Sequence, residues 1–353
     1  MKTEVREIFA YYLPQYHAIP ENDKWWGEGF TEWVNIRNAK LQFEGHEVPK
    51  PIEPLGFYDL SDVTTLSKQY SLAKENSIST FCFWHYWFDD NDTLLEKPAE
   101  ALLKSDIEIK FCFAWANHTW WNKTENKLLK KQKYNFSLET YFDYLLPFFK
   151  DKRYTKIDNK PVFFIYDLKN AKNGIALIKY FKMRAKLEGF DGIYFIGENL
   201  QPSDPQIKLV DQYLNSCDFM KHRALWRKVY DLFLVKLQKY KIYLPRIYSY
   251  KLCALKMNTN IEQTSKQIPV IFPGWDSSIR HGKKGVILKN NNIDLFEAHV
   301  QIAARIIAKK NIENKFVVLK SWNEWAEGNY IEPCSIRSDS YLKVIGSQFS
   351  IIK

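Results

Sequence analysis

No run of about 18 apolar residues occurs in the 353-residue sequence, which excludes a helix long and greasy enough to cross a bilayer. Cysteine is scarce and odd in number, and Cys82, Cys112, Cys217, Cys253 and Cys334 stand far apart. No pair has zinc-ligand or redox spacing, and two of the five sit in apolar, strand-like runs where a thiol behaves as a small hydrophobe. A reduced, cytoplasmic protein is expected. The start, Met1-Lys2-Thr3-Glu4-Val5-Arg6-Glu7, lacks the apolar stretch and cleavage site of a secretory signal, which agrees. There is no internal repeat, low-complexity tract or Pro/Gly/Ser linker, so one domain over 1–353 is expected. Acids are the minority charge, 41 against 51 Lys and Arg, a formal net charge of +10. Such a balance suits nucleic acid, an anionic membrane or phosphate-bearing substrates. The lysines are spread along the chain without a nucleic-acid motif, so a solvated surface is preferred and no nucleic-acid partner is expected.

Aromatic residues are plentiful by contrast. Eleven of the 12 Trp fall at 25–33, 84–87, 115–121, 275 and 322–325. A packed core does not need Trp concentrated in this way. A sugar site does, because the C–H face of a pyranose packs on an indole while its hydroxyls seek amides and carboxylates.

Short apolar runs alternate with longer amphipathic stretches, the pattern of βα units around a parallel sheet. Strands are predicted at Ile8–Leu13, Thr80–Trp84, Ile109–Trp115, Pro161–Tyr166, Gly192–Gly197, Cys217–Met220, Pro269–Phe272 and Phe316–Lys320. Helices are predicted at Asp62–Asn76, around Leu138–Phe149, over 175–188, and where Phe296, Val300, Ala303, Ala304 and Ile307 recur at helical spacing. Eight strands over this length predict a (β/α)₈ (TIM) barrel with long loops at the carboxyl ends of its strands, and a basic excursion at 221–266.

Barrel active sites gather at those carboxyl ends. Polar-aromatic clusters follow six of the predicted strands: His85-Tyr86-Trp87, Trp115-Ala116-Asn117-His118, Tyr166-Asp167, Glu198-Asn199, Gly274-Trp275-Asp276 and Trp322-Asn323-Glu324. Glu324 and Glu327 are the sharpest pair. In one loop past a strand, both can reach a single cavity, as glycosyl transfer requires of two carboxyl groups. Their environments must then separate their pKa values. A helix-start pair capped by Asn323 is the plainer alternative, and the flanking Trp322, Trp325 and Gly328 argue against it. The loop Asn22–Trp33 adds turn glycines and the indoles of Trp25, Trp26 and Trp33, with Glu32 able to bind hydroxyls or orient another group. His17, His85 and His118 can contact hydroxyls or be satisfied core residues; their spacing favours no metal. Asp90-Asn91-Asp92 has the spacing of a metal-binding acid pair, but a turn is preferred. Arg280 could meet an anionic group or form a structural ion pair.

The segments Tyr11–His17, Trp25–Trp33, Trp84–Phe88, Pro273–Asp276 and Ser321–Gly328 resemble the WbsX-type proteins, which carry a domain similar to glycoside hydrolase family 99. The resemblance runs from about residue 7 to 345. It implies a (β/α)₈ barrel and chemistry at an α-linked, mannose-like sugar. No cofactor and no metal are expected. The resemblance further implies that Glu324 deprotonates the sugar's own 2-hydroxyl, giving a 1,2-anhydro sugar. Glu327 would protonate the leaving group and then activate water. Tyr12, His17, Trp25, Trp26, Glu32, Trp33, His85, Tyr86, Trp115, Asn117, His118, Tyr166, Glu198, Trp275, Asp276, Arg280, Trp322 and Asn323 are the expected substrate-binding residues. His118 departs from the family, which usually has Glu there.

Three functions compete. The leading one is a hydrolase-like enzyme acting on an oligo- or polysaccharide of the bacterial surface, or on its lipid-linked precursor. The second is a glycosyltransferase of polysaccharide assembly. The third is a glycan-binding protein without catalysis, which needs no such Glu pair. Between Lys221 and Lys251 nine Lys or Arg residues and one acid are interleaved with Leu225, Trp226, Val229, Leu232 and Phe233. This run can dock peripherally on anionic lipid, but a barrel helix burying its apolar residues against the sheet is the favoured expectation.

Overall fold

The computed structural model describes residues 2–122, 125–222, 224–238 and 240–352. Eight parallel strands form the central sheet: β1 (Glu7–Tyr12), β2 (Thr80–Asp89), β3 (Phe111–Trp115), β4 (Lys160–Ile165), β5 (Tyr194–Gly197), β6 (Gln212–Tyr213), β7 (Val270–Ile271) and β8 (Phe316–Leu319). They lie in the order β6-β5-β4-β3-β2-β1-β8-β7. The sheet curls until its edges meet. Tyr213 bridges Gln267 in parallel, and Ile268 N donates to Tyr213 O at 2.8 Å. The expected barrel is there.

Alternation along each strand separates an interior from a helix-facing surface. Phe9 and Tyr11 of β1 point inward and meet Phe164 of β4 at 5.2 and 5.8 Å between ring centres. Phe316 of β8 closes the same interior against Phe9 and Tyr194. On the other face, Phe113 packs on Phe148 of the helix Leu138–Lys150. That helix starts where the Ser137 hydroxyl accepts from Thr140 N at 3.1 Å, satisfying an otherwise orphaned donor. The helix Ile293–Ala308 is capped likewise by Asn292 and buries Phe296, Val300, Ala303, Ala304 and Ile307, as the spacing predicts. Each large apolar side chain buried this way contributes roughly 1.5–3 kcal/mol.

Three expectations need correction. The sixth strand is Gln212–Tyr213, whereas Asp218–His222 forms a short 3-10 helix beyond it. Gln212–Tyr213 lies in no apolar run of its own from which to recognise it. The excursion is also shorter than 221–266. The helix Tyr250–Met257 returns to the barrel and buries Tyr250, Cys253, Ala254 and Met257. Before it, the strand Arg246–Ser249 pairs in parallel with Val286–Lys289, outside the barrel.

The helix Leu225–Gln238 does not pack as favoured. Leu234 is buried, but Leu225, Trp226, Val229, Leu232 and Phe233 are each more than half exposed, Leu225 at 76%. Its periodicity describes a face turned outward. Arg223 and Lys239, which belong to the same basic run, lie outside the described residues.

Candidate active site

Beyond β8 the chain runs across the barrel mouth and delivers Glu324 into it. Glu324 is buried, and its Oε1 accepts a hydrogen bond from Trp84 Nε1 at 2.9 Å. Trp84 lies two residues beyond Cys82 on β2 and so shares its interior side. Its indole stacks on Tyr11, ring centres 4.3 Å apart, and meets Tyr166 edge-on at 5.6 Å. Burial above all, then the charge of Glu327, pushes the Glu324 carboxyl up to about 8, while Arg280 and Lys320 pull it back.

Arg280 ties two distant segments together. Its Nη2 lies 3.1 Å from Glu32 Oε1, and its Nη1 donates to Glu327 Oε1 at 3.0 Å. Burial works against the guanidinium charge, but Glu32, Glu327 and Glu324 together hold its pKa above the ordinary value. The Trp-rich loop and the Glu segment therefore share one mouth. The guanidinium is engaged by the protein's own acids, which favours the ion-pair alternative for Arg280.

The turn after Glu327 depends on Gly328, whose φ is +59°. A Cβ there would fall 2.6 Å from Asp276 Cβ and 2.7 Å from Asp276 N. The close approach lets Asp276 N donate to Glu327 O at 2.6 Å. The Asp276 carboxylate is itself occupied. Its Oδ2 pairs with His46 Nε2 at 2.8 Å, and its Oδ1 accepts from Ser278 N and Oγ. Asp276 thus supports the Glu327 loop.

A second buried carboxylate, Glu198, lies beneath. It accepts from Tyr11 Oη at 2.5 Å and from the Ser216 hydroxyl, to which Lys320 Nζ also donates at 3.0 Å. Burial raises the Glu198 carboxyl and Lys320 opposes the rise. A third, Glu332, sits behind Trp325. It accepts from Trp325 Nε1 and Gln69 Nε2, both at 2.6 Å, and from Tyr58 Oη at 3.1 Å. Burial lifts it to about 7 against those three donors.

Aromatic walls surround the carboxylates. Tyr86 and Trp25 both meet Trp120, at 5.0 and 5.8 Å. His118, exposed at the rim, lies 5.4 Å from Tyr166. Trp26 is 43% exposed and leans on Phe30. Trp275 lines two cavities. One, of about 150 Å³, also touches His46, Asp276 and Tyr330. The other, of about 280 Å³, also touches Glu327 and Arg246.

Several expected contact residues face elsewhere. Tyr12, His85 and Trp115 occupy the helix-facing side of their strands. Tyr12 Oη donates to Gln69 Oε1 at 2.7 Å. His85 stacks on Tyr141 and Tyr144 of the helix Leu138–Lys150, where burial lowers its pKa to about 3. Trp115 donates to Trp87 O and packs on Phe136. Trp33 is buried against Tyr16 and Trp325 and donates to Tyr58 O at 2.6 Å. Trp322 is fully buried against Phe81, so its indole offers no face to a sugar. Asn323 and Asn117 are clips: Asn323 bonds both backbone groups of Leu13, and Asn117 both of Asp167. His17 is buried, which lowers its pKa. Trp84, His46, Lys320, Arg246 and Lys284 were not expected at the site. Strand alternation starting from Cys82 would have selected Trp84 over His85; the others follow from tertiary packing alone.

No group of three or more His, Cys, Asp or Glu among the described residues is arranged to hold a metal ion. Asp90-Asn91-Asp92 is a turn with Asn91 at φ +52°; Asp92 pairs with Lys130, and Asp90 accepts from Ser137 N.

A family model described as glycosyltransferase WbsX matches residues 8–345. A protein named "Uncharacterized protein WxcX" from Xanthomonas campestris pv. campestris ATCC 33913 is 29% identical over 354 residues, covering 92% of this chain and 47% of its own length. Its counterpart from strain B100 matches to the same extent. The chain thus spans about half the length of these curated relatives. Among solved structures, a "glycoside hydrolase-like protein" superimposes with a TM-score of 0.63 at 16% identity, over 100% of this chain and 96% of that one. The GH99 endo-alpha-mannosidase of Bacteroides thetaiotaomicron gives 0.56 at 17% identity, covering 98% and 97%. At these identities the likeness is one of fold.

Proposed function

Because the chain belongs to the glycosyltransferase WbsX family, and is thereby a carbohydrate-active enzyme, we propose that it acts at an α-linked, mannose-like bond of a bacterial surface polysaccharide or its precursor. Glu324 and Glu327 are the catalytic pair. Glu324 takes the proton from the sugar 2-hydroxyl, and O2 attacks C1 as the bond from C1 to the leaving oxygen breaks. Glu327 protonates that oxygen. Water, deprotonated by Glu327, then opens the 1,2-anhydro sugar at C1, and O2 recovers its proton from Glu324. One observation carries this reading: Glu324 is buried at the barrel mouth against Trp84, in the same charged cluster as Glu327 and Arg280. A buried carboxylate with a raised pKa is a strong base once ionised, which suits proton removal from a hydroxyl.

Transfer is the second reading, with a sugar hydroxyl in place of water. It is favoured by the outward apolar face of Leu225–Gln238, flanked by Arg227, Lys228 and Lys236, which suits peripheral contact with anionic lipid and a lipid-linked substrate at the cytoplasmic face. Incubating the protein with defined α-linked oligosaccharides, and separately with activated sugars plus acceptor, followed by product mass measurement, decides between them. Free reducing sugar means hydrolysis, and a lengthened acceptor means transfer. No product in either arm would sink the proposal.

A further inference from the structure

His46 reaches the Glu327 loop from a tight turn in the segment after the helix Glu32–Asn38. Gly45, at φ +77°, closes that turn, and His46 N donates to Phe43 O at 3.1 Å. The imidazole folds back so that its Nδ1 accepts from Gln42 N at 3.1 Å, beside the Phe43 ring at 5.0 Å. A ring nitrogen that accepts from a backbone N–H carries no proton, so the imidazole's proton is on Nε2. Nε2–H therefore donates to Asp276 Oδ2, at 2.8 Å, with the imidazole buried. Beyond the turn the chain is anchored where Glu47 pairs with Arg337 at 2.6 Å.

Asp276 reaches Glu327 from both ends. Its N donates to Glu327 O at 2.6 Å. Its Oδ1 accepts from Ser278 N and Oγ, at 2.9 and 2.6 Å, and so fixes the start of the helical turn Ser278–His281 that carries Arg280. Arg280 Nη1 in turn donates to Glu327 Oε1 at 3.0 Å. Glu324 does not use this route: its carboxylate accepts from Trp84, and its backbone pairs with Asn329. We propose that His46 is a positioning residue for proton transfer by Glu327, acting through the orientation of the Asp276 carboxylate. This role rests on Glu327 acting as the acid. Without the Nε2 proton, Asp276 Oδ2 loses that partner and the carboxylate is free to turn away from Ser278. The backbone under Glu327 and the turn carrying Arg280 then shift together. A general acid displaced from the leaving oxygen loses much of its effect.

Two substrates test this through kcat/KM, which reports bond cleavage. Phenyl α-mannoside has a leaving group that needs a proton, and 2,4-dinitrophenyl α-mannoside has one that does not. His46→Ala should lose about tenfold or more on the first and less than about twofold on the second. Imidazole in solution should restore His46→Ala, since the space left opens into the cavity of about 150 Å³ that His46 and Asp276 line. His46→Gln, which keeps a donor near Nε2, should stay close to the parent protein. His46→Phe fills the space without a donor; it should show the same split, and stands in for His46→Ala if that variant unfolds. A merely structural residue would lower both rates alike, so equal losses on the two mannosides overturn the proposal, as does no loss on either. Glu327→Gln separates the two ideas. No split there removes the acid role, whereas a split there with none at His46 overturns the positioning role alone. Hydrogen exchange over residues 274–280 decides if the parent protein converts neither mannoside. His46→Ala should exchange these amides faster and imidazole slow them again; unchanged protection overturns the proposal.

Discussion

A carboxyl group buried next to a second carboxylate keeps its proton to higher pH than it would in water, and Glu324 is held in that position. Burial, and then the neighbouring Glu327 charge, lift its pKa from the ordinary carboxylate value to about 8. If Glu324 is the base for the 2-hydroxyl, kcat/KM should climb with pH through an ionisation near 8, well above the ordinary carboxylate range. A profile flat from pH 6 to 9 would remove it from that role. Trp84→Phe deletes the donor to its ionised form, so that limb should move higher and activity fall about tenfold, the scale of a hydrogen bond to a charged group. Stability carries the same signature. The folded state holds the proton more tightly than the unfolded chain, so this contribution is fully present below about pH 4.5 and is lost as pH rises through 8. Glu324→Gln should therefore gain stability over the parent at pH 9 and lose that advantage toward pH 5, as measured by urea unfolding. Equal stability at both pH values would show that ionised Glu324 is not strained. The two glutamates were legible because they stand between Trp and Gly after a strand. His85 and Trp115 were misplaced because an aromatic at a strand end can face either way, and only the period of two shows which.

Loops and helices of this chain carry two further consequences. Gly328 brings the Glu327 loop onto Asp276 with a left-handed φ and no room for a methyl group. Gly328→Ala should destabilise the fold by about 1–3 kcal/mol and lower turnover, since the loop must shift; Gly189→Ala, also at positive φ but with nothing within 4 Å, should leave turnover unchanged. Matching turnover in both variants would contradict the role given to the Glu327 turn. The helix Leu225–Gln238 offers the second case. Co-sedimentation should find the protein on anionic vesicles at low salt but not on neutral ones, with Lys236→Glu weakening the association. Failure to bind anionic vesicles would leave its apolar face for another partner. From sequence, this helix looked like barrel wall, because an amphipathic period gives the width of an apolar face and not the direction it points. The sixth strand was misplaced for a different reason: pairing of Gln212–Tyr213 between β5 and residues 266–268 is tertiary and leaves no local pattern.

Across the whole molecule, the barrel was readable because seven of its strands contain short apolar runs, with the polar-aromatic clusters following in register at the carboxyl ends. The Arg280 bridge between Glu32 and Glu327 was not, since it spans positions 248 and 47 residues apart and exists only once the barrel closes. That bridge joins the two most distinctive segments into one site, and the central claim is that its carboxylates do the chemistry. The most direct test is the turnover of Glu324→Gln and Glu327→Gln on a substrate that the parent protein converts, with folding checked by circular dichroism. Each variant should lose at least about a hundredfold, the scale of removing a general acid or base, with its fold retained. Near-parental turnover in both would contradict the account.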